Sequence, residues 1–238
     1  MANDVFEVKK LNVTFGEKAI FRDFSLSFEK GRITCILGPS GSGKTTLLKA
    51  MAGLLPNAKF DAEERATCSY IFQEPRLLPH LTALDNLAVV LPGKIKENRA
   101  KAREFLSDME LADAEGKYPS ELSGGMAQRV SIARGLLFDA PLLLMDEPFK
   151  GLDLALQERL IKYFVKYWQK APKTCLFVTH SILEAILVAD RVIVLGAAEE
   201  GAKILFDKTF TMPREARALG IPEVDAFRSE LHDVLVKL

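Results

Sequence analysis

The sequence predicts an α/β protein built on an open, mainly parallel sheet, and three observations carry that prediction. Short apolar runs, among them Ile33-Thr34-Cys35-Ile36-Leu37, Leu142-Leu143-Leu144-Met145 and Thr174-Cys175-Leu176-Phe177-Val178, read as buried strands and alternate with helical stretches. The polar residues of chemical interest stand at the carboxyl ends of these runs, where open α/β sheets carry their sites. A glycine-rich loop joins the first buried run to a helix.

That loop, Gly38-Pro39-Ser40-Gly41-Ser42-Gly43-Lys44-Thr45-Thr46, fits G-x-x-x-x-G-K-[ST]. Its glycines let successive backbone N–H groups turn inward toward an anion, and the helix opened by Thr45 and Thr46 points its positive end at the same place. In such a loop Lys44 reaches the β- and γ-phosphates of a nucleotide and the Thr45 hydroxyl takes Mg²⁺. A strand before and a helix after set it apart from a glycine-rich turn that matches by chance.

Composition bounds the rest. The 238 residues are 48% hydrophobic, enough for one domain with a large core. Thirty-two basic residues balance 32 acidic ones, so no global field draws in nucleic acid or anionic lipid. Met1-Ala2-Asn3-Asp4 has no signal-peptide design and no apolar run reaches membrane-span length, which predicts a cytoplasmic chain. Cys35, Cys68 and Cys175 are odd in number and widely spaced, and read as small hydrophobes in a reducing compartment.

In chain order, Val5 to Val8 and Phe24 to Phe28 alternate like half-buried antiparallel strands, with a turn at Phe15-Gly16-Glu17. Phe15 thus stands near a loop, where it could stack on a base or join the core. Gly53 to Asn57 breaks the pattern, and Ala58 to Thr67 reads as loop or short helix. Ser69 to Phe72 is a strand ending in Gln73, followed by proline-rich turn material and a helix capped by Thr82. Lys94 to Met109 is an amphipathic helix with Ala102, Phe105, Leu106 and Met109 on one face.

Apolar residues at helical spacing from Met126 to Phe138 put Ser123-Gly124-Gly125 at a second helix N-terminus able to face an anion. The strand 142–145 runs into Asp146-Glu147-Pro148. Adjacent carboxylates at a buried strand end are costly unless a metal and a water employ them. Leu154 to Gln169 is helical, and His180 ends the next strand; taken alone, it reads more readily as a structural residue. Helix 181–190 and strand 191–195 follow, then a short tail over about 211–238 with a terminal helix. No repeat or linker divides the chain.

With these residues in order, the chain resembles the nucleotide-binding subunit of ABC transporters over nearly its whole length. Gly38 to Thr45 looks like Walker A, Gln73 like the Q-loop glutamine, Leu122 to Gln128 like the signature sequence, and Leu142 to Glu147 like Walker B with its catalytic glutamate. Gly151-Leu152-Asp153 resembles the D-loop and His180 the switch histidine. The resemblance implies a P-loop NTPase, RecA-like core with an antiparallel β subdomain and a helical signature subdomain, inserted at about 74–140 within a single domain over 1–238.

It also implies two copies sandwiching two ATP molecules, each ATP held by Lys44 and Thr45 of one copy and by Ser123 and Gly125 of the other. Asp146 and Gln73 would serve Mg²⁺, Glu147 would polarise the attacking water, His180 would touch the γ-phosphate, and Phe15 would stack on adenine. The implied partners are a membrane permease, with the chain peripheral on the inner face of the membrane, and indirectly a solute-binding protein; no nucleic acid is implied.

Three stretches depart from the family pattern: Met126 stands where glutamine is common, Phe15 where tyrosine is usual, and Lys150-Gly151 where Ser-Ala commonly precedes Leu-Asp. The segment between Gly53 and Gln73 lacks the usual glycine-rich hairpin, which implies a reduced antiparallel subdomain. Phe72 to Asn86 and Phe210 to Arg214 look like the nitrate, sulfonate and taurine importer group. The competing readings are a soluble ABC-type switch acting on DNA or ribosomes, which would carry a long coiled-coil insertion or a tandem cassette, and a small-molecule kinase, which would leave Leu122 to Gln128 unexplained.

Overall fold

The computed structural model describes residues 5–61, 67–198 and 201–238. The expectation drawn from Met1 to Asp4 and the middle of the predicted 58–67 loop lie outside those residues. Strands β1 (Val5–Phe15), β2 (Lys18–Glu29) and β3 (Ile33–Leu37) lead into helix α1 (Lys44–Met51) and the short strand β4 (Lys59–Asp61). There follow β5 (Cys68–Ile71), α2 (Ala83–Ala88), α3 (Ile95–Asp108), α4 (Gly124–Leu137), β6 (Leu142–Asp146) and α5 (Leu154–Lys170). The chain ends with β7 (Thr174–Val178), α6 (Ile182–Val188), β8 (Arg191–Gly196), β9 (Lys203–Thr209) and α7 (Pro222–Val236). Two compact units result, Met1–Thr67 with Pro172–Leu238, and Cys68–Ala171.

In the first unit β3 pairs in parallel with β7 on one side and β8 on the other. Every residue of β3 and β7 is buried, as continuous apolar runs require when helices cover both faces. An antiparallel strand, β9, closes this group by pairing with β8. It was not foreseen, because Lys203–Thr209 is a solvent-facing edge strand with almost no buried side chain to give it a period.

The same unit holds an antiparallel sheet in the order β2-β1-β4. Irregular register between β1 and β2 coincides with Lys10 and Asp23 at φ 50° and 48°. There Asn12 Nδ2 donates to the Lys10 carbonyl and Asp23 Oδ1, and Asn12 Oδ1 accepts from the Asp23 N–H. Such bends increase strand twist. Lys59–Asp61 corrects the loop-or-helix expectation for that stretch: it is a strand, held by backbone pairing to β1 rather than by apolar burial.

In the second unit β5 and β6 form a parallel pair with Ile71 opposite Met145. Helix α2 starts where Thr82 Oγ1 accepts from the Asp85 N–H. Ala102, Phe105, Leu106 and Met109 are buried as their spacing predicts. Gly135 on α4 lies so close to β5 that a Cβ there would meet Ile71 Cγ1 at 2.4 Å, and Ser69 Oγ donates to the Gly135 carbonyl at 2.6 Å. Among the described residues no helix is long and apolar enough to cross a membrane.

Candidate nucleotide site

The phosphate loop grows directly out of the buried β3 strand. At Gly38, φ is 145°, and a Cβ would stand 2.1 Å from the Leu195 carbonyl oxygen on β8, so no side chain fits. The Ser42 N–H donates to the Pro39 carbonyl at 3.3 Å, closing the turn. Gly43 caps α1 at φ 96°, and a Cβ there would press on Phe21 at 2.9 Å and Ile20 at 3.0 Å. Strand β2 thus supports the base of the loop, while Ser40 and Gly41 face solvent at its tip and Thr45 and Thr46 are half-buried.

Lys44 is 95% buried (5% exposed), and its Nζ donates to the Gly38 and Pro39 carbonyls at 2.8 Å each. A buried ammonium arched over its own loop is a cation already desolvated for an anion. Two further features fit a triphosphate here. Ser42 Oγ is buried without a hydrogen-bond partner, and the first turn of α1 carries no acid to oppose its positive end.

His180 reaches the same carboxyl edge through β7, whose Val178 is paired with Ile36 of β3. The Thr179 N–H donates to the Ile36 carbonyl at 3.3 Å, the Thr179 Oγ1 to Glu184 Oε2 at 2.6 Å, and the Ser181 side chain caps α6. Exposed His180 is therefore carried on a segment fixed at both sides. Phe15 is half-exposed at the end of β1, opposite Lys18 across the Gly16-Glu17 turn, so it is not core.

The second unit brings together Gln73, Asp146 and Glu147 at the carboxyl ends of the paired β5 and β6. Asp146 is buried, and Tyr70 Oη donates to its Oδ2 at 3.3 Å. Burial, then the Asp146 charge, pushes the Tyr70 phenol well above its ordinary range, so it stays a donor. Glu147 adopts φ 47°, a left-handed conformation costing a non-glycine residue roughly 1 kcal/mol or more, and it faces Lys150. Gln73 is exposed.

Helix α4 presents its N-terminus with Ser123 and Gly124 exposed and Gly125 half-buried. Ser123 Oγ accepts from the Met126 N–H at 3.3 Å, and no acid occupies the first turn. Buried Gln128, one turn on, donates from Nε2 to the Pro148 carbonyl at 2.8 Å and the Phe72 carbonyl at 3.5 Å. The signature helix is thereby tied to the turns that follow β5 and β6. The sequence alone assigns no role to Tyr70 or Gln128: Tyr70 lies in the strand before Gln73 and Gln128 ends the signature stretch, and the partner of each is set by strand register and helix packing.

Among the described residues no group of three or more His, Cys, Asp or Glu could hold a metal alone. Thr45 and Asp146 each offer oxygen donors of the kind that Mg²⁺ takes together with phosphate oxygens and water. Cys35 and Cys175 are fully buried, with thiols pushed up by burial; Cys68 is half-buried.

A phosphate loop on a parallel α/β core, in a chain that also carries adjacent carboxylates at the end of a second buried parallel strand, defines a P-loop ATPase. The ABC transporter family matches residues 21–150. Aliphatic sulfonates import ATP-binding protein SsuB of Bacillus cereus (strain ATCC 10987 / NRS 248) is 37% identical over 86% of this chain and 85% of its own. SsuB 1 of Pseudomonas syringae pv. tomato is 39% identical over 93% of this chain and 79% of its own. The dimeric post-hydrolysis structure of the ATP-binding cassette MJ0796 with ADP and Pi is similar at a TM-score of 0.74 and 28% identity, covering 86% of this chain and 98% of that one. The chain belongs to the ABC transporter family, as an ATP-binding subunit with ATPase activity.

Proposed function

We propose that the chain powers an importer of sulfonates, taurine, nitrate or a similarly small solute, working as an ATP-bound pair on the inner face of the membrane. Its partners are a permease and, through that, a solute-binding protein. The observation that carries the ATPase half is Lys44, buried over the phosphate loop beside the unpartnered Ser42 Oγ. The import half is supported by 37–39% identity to sulfonate import proteins over most of the chain. A nucleic-acid role has no support from a net charge of zero. Nor does the segment before the signature carry a coiled-coil insertion among the described residues, its longest helix having 14 residues.

In this reading residues 1–238 act as one ATP-binding domain, with the helical insertion near 74–140 and the tail near 211–238. The loop from Gly38 to Thr46 wraps the phosphates, Lys44 neutralises the β/γ oxygens, and Phe15 stacks on adenine. Mg²⁺ supplies further charge neutralisation when bound, with Thr45, Asp146 and Gln73 as its protein partners. Glu147 takes the proton from the attacking water, and Gln73 and His180 orient water and γ-phosphate. Ser123, Gly124 and Gly125 contact the ATP of the paired copy. Phosphoryl transfer needs positioning and charge neutralisation above all, and these groups supply both.

The test has two stages. Purified protein is expected to bind a fluorescent ATP analogue and release phosphate, with both lost in Lys44→Ala; unchanged affinity in that variant would overturn the loop assignment. Vesicles containing the chain with its permease are then expected to take up a labelled alkanesulfonate, taurine or nitrate when ATP is supplied. ATPase activity without uptake of any of these would remove the cargo assignment alone.

A further inference from the structure

Asp146 is the last residue of a strand buried along its whole length, so its carboxylate stands on a rigid base. A terminal carboxylate torsion is nevertheless broad and roughly two-fold, and strand burial alone does not set it. The neighbouring strand supplies a constraint of its own. The Ile71 to Met145 register puts Tyr70 beside the end of β6, with its Oη 3.3 Å from Asp146 Oδ2.

The tyrosine is itself held. Its ring stacks on Phe72, with centroids 4.0 Å apart and planes 16° from parallel, and the Arg76 guanidinium lies over the Phe72 ring at 4.0 Å. The Phe72 carbonyl accepts from Gln128 on α4. A phenol fixed in this way acts on the carboxylate as a neutral donor, orienting it without the competing charge that an Arg or Lys would bring.

We propose that Tyr70 is a positioning residue for Asp146, fixing the orientation of the carboxylate that serves the nucleotide's Mg²⁺ and so setting the metal affinity of the ATP complex. The proposal rests on Asp146 being that carboxylate. Hydrogen-bond partners of metal ligands typically contribute 10- to 100-fold to metal affinity. The 3.3 Å length of the bond puts the effect at the lower end, about tenfold.

The experiment uses the full chain and a fluorescent ATP analogue, titrated at a series of free Mg²⁺ concentrations and in EDTA. Tyr70→Phe keeps the ring stack and removes only the hydroxyl. It is expected to raise the Mg²⁺ midpoint about tenfold while leaving affinity in EDTA unchanged. Tyr163→Phe removes a comparable bond to Asp108, 3.0 Å long on α5, and is expected to leave the midpoint alone. Asp146→Asn is expected to shift it strongly, with no additional shift when Tyr70→Phe is added.

A wild-type midpoint in Tyr70→Phe beside a shifted one in Asp146→Asn would overturn the role of Tyr70 alone. An unshifted midpoint in Asp146→Asn would overturn the metal assignment beneath it. An additional shift in the double variant, or an equal loss of affinity in EDTA for Tyr70→Phe, would also overturn the proposal, since the tyrosine would then act independently of Asp146.

Discussion

Lys150 Nζ lies 2.6 Å from Glu147 Oε2, so the carboxylate after the β6 strand end is ion-paired by a lysine from its own turn. The pair joins a nearly buried carboxylate to a lysine side chain that is 56% exposed. Solvent limits such a contact to about 1 kcal/mol, which corresponds to roughly fivefold in rate. Removing it takes one cation away from the Glu147 Oε2 oxygen. Lys150→Ala is therefore expected to raise kcat of the purified subunit by up to about fivefold with ATP affinity unchanged, read by steady-state phosphate release. A fall to background would mean that the lysine is needed to place the carboxylate.

Glu147→Gln keeps the size and shape of the side chain but removes the base. A positioned general base contributes about 10²- to 10⁴-fold, so hydrolysis is expected to fall by that factor while nucleotide still binds. An ATP-dependent dimer should accumulate on size exclusion. Wild-type turnover would remove Glu147 from its role.

What could be read from the chain alone depended on how local each signal was. The phosphate loop, the Thr82 cap and the α4 start at Ser123 are specified by residues within one turn of each other, and each is found where the pattern predicts. Strand β4 has no such signal, because Lys59–Asp61 is a polar segment whose only organiser is the edge of β1, far away in sequence. Edge strand β9 lacks it for a similar reason. Within the site, Asp146 and Glu147 were legible as costly carboxylates. Tyr70 was not, since its contact follows from the β5–β6 register rather than from spacing. Lys150 was visible as an unusual charge, but its pairing with Glu147 accompanies a left-handed backbone at Glu147 that no local pattern announces.

Asn86 is fully buried on α2, where its spacing alone would suggest an apolar residue. Its Nδ2 donates to the Leu78, Leu81 and Thr82 carbonyls, and its Oδ1 accepts from the Leu78 N–H and from Arg134 on α4. One side chain thus organises the whole 78–82 loop. Each buried polar group left unmade costs about 1–3 kcal/mol, so Asn86→Ala is expected to cost about 3 kcal/mol. For a chain of this size that lowers Tm by roughly 10 °C. Thermal denaturation measures it, and a change under about 2 °C would show that water replaces the amide.

Ser123→Arg removes the α4 cap, worth about 1 kcal/mol, and places a bulky cation at the helix end proposed to meet the paired copy's ATP. ATP binding to the monomer is expected to survive while hydrolysis fails. Mixing the variant with Lys44→Ala protein should restore at most one composite site. Loss of monomer ATP affinity in Ser123→Arg would count against action across a dimer.

Leu78 is the position at which docking and catalysis can be tested apart. Its backbone N–H and carbonyl are both held by Asn86, while its side chain is 36% exposed, so the leucine is presented rather than packed away. Pro79 and His80, both exposed, follow Leu78, and the loop continues into α2 through half-buried Leu81 and Thr82. A helix laid into a groove is recognised by apolar anchors of this kind, and we propose that a helix of the permease meets Leu78 in this way. Leu78→Asp leaves the backbone contacts in place but buries an unpaired charge on docking, at a cost of about 3 kcal/mol or more. That is more than a hundredfold in affinity. The expected outcome is normal ATPase activity in solution, with membrane recruitment and uptake both lost. Normal recruitment, or equal loss of soluble ATPase and recruitment, would mean that Leu78 supports the fold of its unit and is not a docking contact.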